Sequence, residues 1–188
     1  MANFQTAFAK TMVVEGGYAN DPDDTGGETY MGIARKHNPA WAGWRLVDQH
    51  KSKPGRDAVM KNDRSLQELV RSFYKVAYWD VNKLDQIVDQ SIAEEMFDTG
   101  VNMGVEIAAR FLQTALNVLN RNQVDYPNIS VDGAIGPATL KTINTHKSAK
   151  LVFKVLNILQ GARYLTIADK NEKQEKFMRS WLSRVEFL

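Results

Sequence analysis

The sequence predicts a mainly α-helical protein with at most a short β-hairpin near residues 24–33. Apolar residues recur at intervals of three and four along most of the chain, which is the period of an amphipathic helix. Outside residues 24–33, no alternating strand pattern extends beyond a few residues. Apolar residues make up 44% of the chain, which is enough for a substantial core.

The first predicted helix begins after Asn3, whose side chain can cap it, and ends at the pair Gly16 and Gly17. Glycine readily adopts the left-handed conformation that closes a helix. Glu15 lies only about 20° around the helix axis from Phe4, and therefore on the apolar stripe. Burial there and the negative end of the helix dipole should both raise the pKa of Glu15. A general acid near neutral pH needs such a shift.

The segment after this helix supplies candidate partners for Glu15. Asp24 follows Glu15 by nine residues, and Thr29 follows it by fourteen. The turn-forming residues 25–27 can fold the segment back and bring both side chains opposite Glu15. A proton donor facing a residue that holds a water is the arrangement of an inverting glycosidase. The acids could instead form a solvated loop or a calcium loop, although they lack the EF-hand spacing.

Two patterns predict where further helices begin. Ser65 with Glu68, and Ser91 with Glu94, have the spacing of capping boxes. In such a box each side chain accepts a hydrogen bond from the other residue's amide. We therefore expect one helix to begin at Ser65 and another at Ser91.

Glycine and proline positions organise the second half of the chain. Residues 93–119 have helical periodicity with a break at residues 100–104. Asn102 lies at this break, where its amide could face a cleft or cap a helix. Further along, Gly136 followed by Pro137 fits a helix start, because proline is favoured at the first helical position. We expect replacement of Gly136 by valine to damage folding.

Two motifs carry a family resemblance. Glu-Gly-Gly-Tyr at residues 15–18, followed by Gly-Gly-Glu-Thr-x-x-Gly-Ile, resembles glycoside hydrolase family 108. Its members are bacterial and phage N-acetylmuramidases with a lysozyme-like fold, and some were labelled secretion activator proteins. The resemblance implies that Glu15 is the catalytic acid. The spacing from Glu15 to Asp24 is also similar to the Glu, Asp, Thr set of phage lysozymes. Thr29 comes one residue earlier than the Thr of that set, so either Thr29 or Thr25 would assist Asp24.

The resemblance covers nearly the whole chain and implies two parts. Residues 1–90 would form a catalytic, lysozyme-like half, and residues 91–188 a helical, peptidoglycan-binding-like half. The motif Asp-Gly-x-x-Gly-x-x-Thr, which begins at Asp132, is found in several peptidoglycan-binding helical modules. No long flexible linker separates the halves, so we expect them to pack as one globule.

The predicted activity is that of a peptidoglycan hydrolase. It would cleave the β-1,4 bond between N-acetylmuramic acid and N-acetylglucosamine, with inversion at the anomeric carbon. Glu15 would protonate the glycosidic oxygen, while Asp24, helped by Thr29, would orient the attacking water. Weaker candidates for substrate contacts are Tyr18, Tyr30 and Asn102. No cofactor or metal is implied.

Three alternatives stay open at this point. A lytic transglycosylase would use Glu15 as both acid and base and form an anhydro sugar without water. A non-catalytic cell-wall-binding or secretion-associated module would bind wall without cleaving it. A chitinase-like enzyme would act on chitin oligomers. The second carboxylate, Asp24, argues against the transglycosylase.

Charge and composition restrict partners and location. The net charge is only +2, with 12 basic and 12 acidic groups in residues 1–90 and 12 and 10 in residues 91–188, and this near balance in both halves argues against nucleic-acid binding. No run of 18 apolar residues suggests membrane insertion, and without cysteine neither disulfides nor thiol catalysis are available. We expect a monomer that acts on glycan strands of the bacterial wall or periplasm. No signal peptide is visible, which is compatible with a phage or prophage endolysin released by a holin, or with a signal already removed.

Overall fold

A computed structural model describes residues 1–12, 17–20 and 27–185 of the chain. Glu15, Asp24 and Thr25 lie outside the described residues. The chain divides into two compact units: a first unit of residues 8–77, and a second unit of residues 1–7 together with 78–188. The predicted division into halves at residue 90 stays a prediction.

The fold is mainly α-helical and of the lysozyme-like type, which confirms the predicted fold class. The N-terminal helix and the elements of the first unit are α1 (Phe4–Thr11), β1 (Tyr18–Ala19), β2 (Thr29–Tyr30), β3 (Ile33–Ala34), α2 (Trp44–His50), α3 (Arg56–Asn62) and α4 (Arg64–Tyr74). Asn3 caps α1 as predicted, because its Oδ1 accepts a hydrogen bond from the Thr6 amide at 3.1 Å.

The three strands form an antiparallel sheet in the order β1-β2-β3. Tyr18 pairs with Tyr30, and β2 then turns back into β3 through Met31 and Gly32. Both turn residues have positive φ, 46° and 77°, as a type I′ hairpin turn requires. The Tyr74 hydroxyl, from α4, donates to the Met31 carbonyl at 2.7 Å and holds this turn. The predicted hairpin is thus part of a slightly larger sheet.

Both predicted capping boxes are wrong by two residues. Asp63 precedes α4 in an extended conformation, and its carboxylate accepts from the Leu66 amide at 3.1 Å. Asp89 caps the helix α5 (Gln90–Met103) in the same way, through the Ile92 amide at 3.1 Å. A carboxylate at this position caps the first turn and also faces the positive end of the helix dipole. The helices therefore begin upstream of Ser65 and Ser91.

The second unit is built from helices that follow a π-helical turn at Lys75–Asp80 and a 3₁₀ turn at Leu84–Gln86. After α5 come α6 (Val105–Val118), α7 (Pro137–Thr145), α8 (Ala149–Lys170), a 3₁₀ segment (Glu172–Phe177) and α9 (Met178–Leu182). Gly104, with φ of 99°, separates α5 from α6, as the predicted break requires. Within this unit the Trp79 ring packs edge-on against Phe4 and Phe97.

The helix α7 begins where the sequence predicts, with Gly136 before Pro137. Gly133, three residues earlier, is nevertheless more tightly constrained than Gly136. Its φ is +81°, and a Cβ at this position would overlap Glu106 Cγ. Gly136 has a φ of −96° and open space around its Cα, so the expected damage from a side chain there is not supported. Within the described residues, no helix is both long and apolar enough to cross a bilayer.

Candidate active site

The sheet brings three of the predicted site residues together. Tyr18 lies on β1, and Thr29 and Tyr30 lie on β2. Thr29 is half-buried in the central strand and pairs with Ala19 on one side and Ala34 on the other. In the sequence, Asp24 therefore lies between β1 and β2, and these two strands pair directly with each other.

Tyr18 is held by two neighbours. Its hydroxyl donates to Glu28 Oε1 at 2.9 Å, and the Arg56 guanidinium lies 4.9 Å from the centre of its ring. Burial, and then the hydrogen bond to the Glu28 carboxylate, raise the pKa of Tyr18. The phenol therefore stays protonated and remains a donor through the neutral range. One face of the ring is engaged in a cation–π contact.

Glu28 lies at the centre of a charged cluster that the sequence did not predict. Its side chain is only 13% exposed and contacts Lys51 Nζ at 3.1 Å and Arg35 Nε at 2.8 Å. Asp48 contacts the same two cations, at 2.7 Å and 2.8 Å. Two carboxylates and two cations thus form a closed ring of alternating charge. We call this set the charge ring.

The charge ring fixes the protonation of its exposed members. Hydrogen bonds from Arg35 and then Lys51 hold the pKa of Asp48 below its usual value. Hydrogen bonds to Asp48 and then Glu28 hold the pKa of Lys51 above its usual value. The Glu28 carboxylate accepts hydrogen bonds from Tyr18 and Lys51 and pairs with Arg35, and these contacts hold the neighbouring groups in place.

Tyr30 faces the interior of the first unit and is 3% exposed. Its hydroxyl accepts from Gln67 Nε2 at 2.9 Å, and the same nitrogen donates to the Met60 carbonyl at 3.0 Å. Burial raises the pKa of Tyr30, although the hydrogen bond from Gln67 opposes the shift. Because Tyr30 is buried, its position favours support of the strand that carries Thr29 over direct contact with a sugar.

A second polar contact joins α2 to α4. His50 Nε2 lies 2.8 Å from Asp63 Oδ2, while the other Asp63 oxygen caps α4. Contact with His50, followed by the hydrogen bond from the Leu66 amide, lowers the pKa of Asp63. Asp63 therefore fixes the start of α4 and links this helix to α2, the helix that carries Asp48.

Asn102 belongs to the second unit. It lies exposed in the last turns of α5, and its Nδ2 donates to the Asp98 carbonyl one turn earlier at 2.8 Å. Its amide thus bonds within its own helix rather than capping α6, which has Gly104 at its N-cap. The substrate contact of Asn102 stays a prediction.

Sequence reasoning missed most of the charge ring for a physical reason. Glu28 could have been noticed, because it directly precedes Thr29 in the glycine-rich motif. Arg35, Asp48 and Lys51 form no local pattern with it, since their contacts depend on how α2 packs beside the sheet. In the part of the chain that the structure describes, no cluster of three or more His, Asp or Glu side chains could hold a metal ion.

Comparisons with known proteins agree with this architecture. A family model described as glycosyl hydrolase 108 matches residues 8–104, and one described as a predicted peptidoglycan domain matches residues 107–186. Among solved structures, the structure of Brucella abortus SagA matches with a TM-score of 0.57 and 19% sequence identity, covering 98% of this chain and 96% of that chain. At this identity the likeness shows the fold alone. The comparison with curated proteins finds no match.

Proposed function

This chain belongs to the glycosyl hydrolase 108 family, and we propose that it is an N-acetylmuramidase that hydrolyses the β-1,4 bond from N-acetylmuramic acid to N-acetylglucosamine in peptidoglycan. Its two family matches identify a peptidoglycan hydrolase. The bond that it cleaves, its stereochemistry and its catalytic residues are our proposal. Its site of action would be the bacterial cell wall.

The observation that carries the proposal is that the residues covered by the family match include a strand of the sheet whose position is fixed. The match over residues 8–104 includes Glu15, Asp24 and Thr29. Thr29 lies on the central strand, directly after Glu28, which is anchored by the charge ring. This anchoring supports a fixed position for the Thr29 hydroxyl, and a water-holding group must be fixed if it is to save orientational entropy during reaction.

The proposed reaction is a single displacement. The Glu15 carboxyl transfers its proton to the glycosidic oxygen as the bond to the anomeric carbon breaks. A water on the opposite face of the sugar attacks that carbon and loses a proton to Asp24, while Thr29 helps to hold the water. Tyr18 and Asn102 are proposed to contact the sugar, and Tyr30 to support the strand from below.

The proposal is tested on purified, insoluble peptidoglycan. We expect soluble fragments that carry a reducing N-acetylmuramic acid end, identified by mass spectrometry after borohydride reduction. Fragments with an anhydro sugar would instead identify a lytic transglycosylase, and reducing N-acetylglucosamine ends a glucosaminidase. Binding to the wall without any release would identify a non-catalytic module. Chitin oligomers, offered in parallel, should be cleaved poorly or not at all if the lactyl group of muramic acid is required.

A further inference from the structure

A groove of about 1400 Å³ lies in the second unit, and no part of the proposed reaction uses it. Its walls are the end of α6, the loop of residues 119–130, one face of α7 and the connection from α7 to α8. Every residue of this lining falls within the match to the peptidoglycan domain, which covers residues 107–186.

One wall of the groove is a rigid, strained loop. Arg121, Asn122 and Gln123 all have positive φ, between 52° and 67°. Consecutive non-glycine residues in this conformation are costly and persist only when the surrounding structure holds them. One contact that holds the loop is the hydrogen bond that Asn120 Nδ2 donates to Asn128 Oδ1 at 2.6 Å. The wall is therefore built before any ligand arrives.

Further bonds tie the same loop to α6. The Tyr126 hydroxyl donates to the Leu116 carbonyl at 2.7 Å. Asn117 bonds to both the amide and the carbonyl of Ile129, at 2.9 Å and 2.8 Å. A groove whose walls are fixed in this way costs little conformational entropy when it binds a ligand.

The charge of the groove is positive. Lys141 on α7 and Lys147 before α8 both line it, and both side chains are exposed. Arg121 pairs with Asp125, the one carboxylate in the lining, so that the two lysine charges remain in excess. Arg121 lowers the pKa of Asp125, and Lys147 and His146 contribute. The lining also includes Ser148, the N-cap of the long helix α8, whose dipole adds positive potential at this end.

Aliphatic side chains stand in the same groove. Val118, Val124 and Leu151 are 64%, 73% and 49% exposed. Exposed aliphatic groups grouped along a concave surface indicate a binding site. Tyr126, the aromatic residue in the lining, has its hydroxyl bonded to α6 and its ring edge-to-face with His146, with 6.0 Å between the ring centres. These two contacts fix the position of Tyr126 against α6 and His146.

We propose that this groove binds the stem peptide of peptidoglycan, an inference that rests on the proposed function and extends it to a second site. The stem peptide carries free carboxylates, which complement Lys141 and Lys147, and alanine methyl groups, which fit the aliphatic wall. The groove would hold the chain on wall that still has its peptides, while the first unit acts on the glycan.

The test measures binding of two soluble probes to the full chain by isothermal titration calorimetry at low salt. A synthetic stem tetrapeptide should bind, and a chitin tetrasaccharide should not bind in this groove. The double change Lys141→Ala and Lys147→Ala should weaken tetrapeptide binding about tenfold, because two exposed ion pairs are removed. The matched control replaces Lys170 and Lys173 by alanine instead. It should leave binding unchanged, since Lys170 lies about 30 Å from the N-terminus of α8, the end of the helix that lines the groove.

A second pair tests the aliphatic wall. Leu151→Ser should weaken binding, whereas Leu165→Ser, at a leucine on the same helix that is 57% exposed and outside the groove, should not. The inference is overturned if the lysine variant binds the tetrapeptide as tightly as the unchanged chain does. It is also overturned if the tetrasaccharide binds and the tetrapeptide does not. Wall hydrolysis by the unchanged chain is measured in parallel. Hydrolysis without tetrapeptide binding overturns the groove alone, whereas absence of hydrolysis contradicts the proposed function.

Discussion

Tyr18 donates its hydroxyl hydrogen to Glu28 at 2.9 Å, which joins the first strand of the sheet to the residue directly before Thr29. Through Glu28 the same contact reaches Arg35 and Lys51, and through them Asp48 on α2. Glu28, directly before the strand that carries Thr29, is therefore held by side chains from β1, from the residue after β3 and from the residue after α2. This relationship leads to the first of five predictions.

Replacing Glu28 by glutamine should destabilise the protein by about 1–2 kcal/mol, because Arg35 and Lys51 lose a nearly buried anionic partner. Each of these cations is about one-third exposed, which limits the loss. Asp48→Asn is the matched control in the same ring. Its side chain is 43% exposed, so its loss should be smaller. Urea unfolding measures both, and an equal or larger cost for Asp48→Asn would contradict the central position of Glu28.

Replacing Glu15 by glutamine should lower the rate of wall hydrolysis by about 10²–10⁴-fold, the usual contribution of a general acid. The change keeps the shape of the side chain and removes its acidic proton. Glu68→Gln is the control, because Glu68 is 69% exposed on α4 and pairs with Arg71 one turn away on the same helix. Turbidity loss of a wall suspension gives the rate. A folded Glu15 variant that clears wall at the unchanged rate would remove Glu15 from the mechanism.

The products should show inversion at the anomeric carbon. An inverting pair of carboxyl groups stands ~6.5–9.5 Å apart and leaves room for water, whereas a retaining pair stands ~5–5.5 Å apart. An aspartate helped by a threonine hydroxyl suits a held water better than direct attack on carbon. Proton NMR of the first sugar released, before mutarotation, should show the α-anomer. An initial β-anomer would mean retention and would require a different role for Asp24.

Asp63 should make the stability of the first unit sensitive to acid. Its pKa is lowered in the folded protein, so its charged form stabilises the fold above the unfolded pKa of about 3.9. That contribution is lost as the pH falls through the lower, folded pKa. The unfolding free energies of the unchanged chain and Asp63→Asn should differ by about 1 kcal/mol at pH 6 and converge as the pH falls below the folded pKa of Asp63. Exposed Asp169→Asn is the control; a similar pH dependence for it would refute the assignment.

Gly133→Ala should destabilise the second unit by about 1–3 kcal/mol, whereas Gly136→Ala should cost much less. At Gly133 the backbone is left-handed and a Cβ overlaps Glu106, which pairs with Arg110. The Gly133 amide also donates to Gln113 Oε1 at 2.9 Å, so the turn cannot shift freely. Gly136 has open space and an ordinary φ. Thermal unfolding compares the two variants, and equal melting temperatures would refute this difference.

The sequence alone determined the features that depend on neighbouring residues. Helical periodicity predicted the mainly α fold, Asn3 predicted the cap of α1, and Gly136 with Pro137 predicted the start of α7. The motif that begins at Glu15 identified the family. These signals are local, because helix formation, capping and turn geometry depend on residues a few positions apart.

Tertiary structure alone decided which distant side chains meet. Residues 28, 35, 48 and 51 form the charge ring only because α2 packs beside the sheet, and no spacing in the sequence records that packing. The caps at Asp63 and Asp89 prevailed over the predicted Ser65 and Ser91 because the backbone became extended just before each helix. The groove near Lys141 likewise depends on how a strained loop is tied to α6. The charge ring and the groove depend on residues that are apart in sequence and that folding brings close together, whereas the caps at Asp63 and Asp89 bond residues only three positions away.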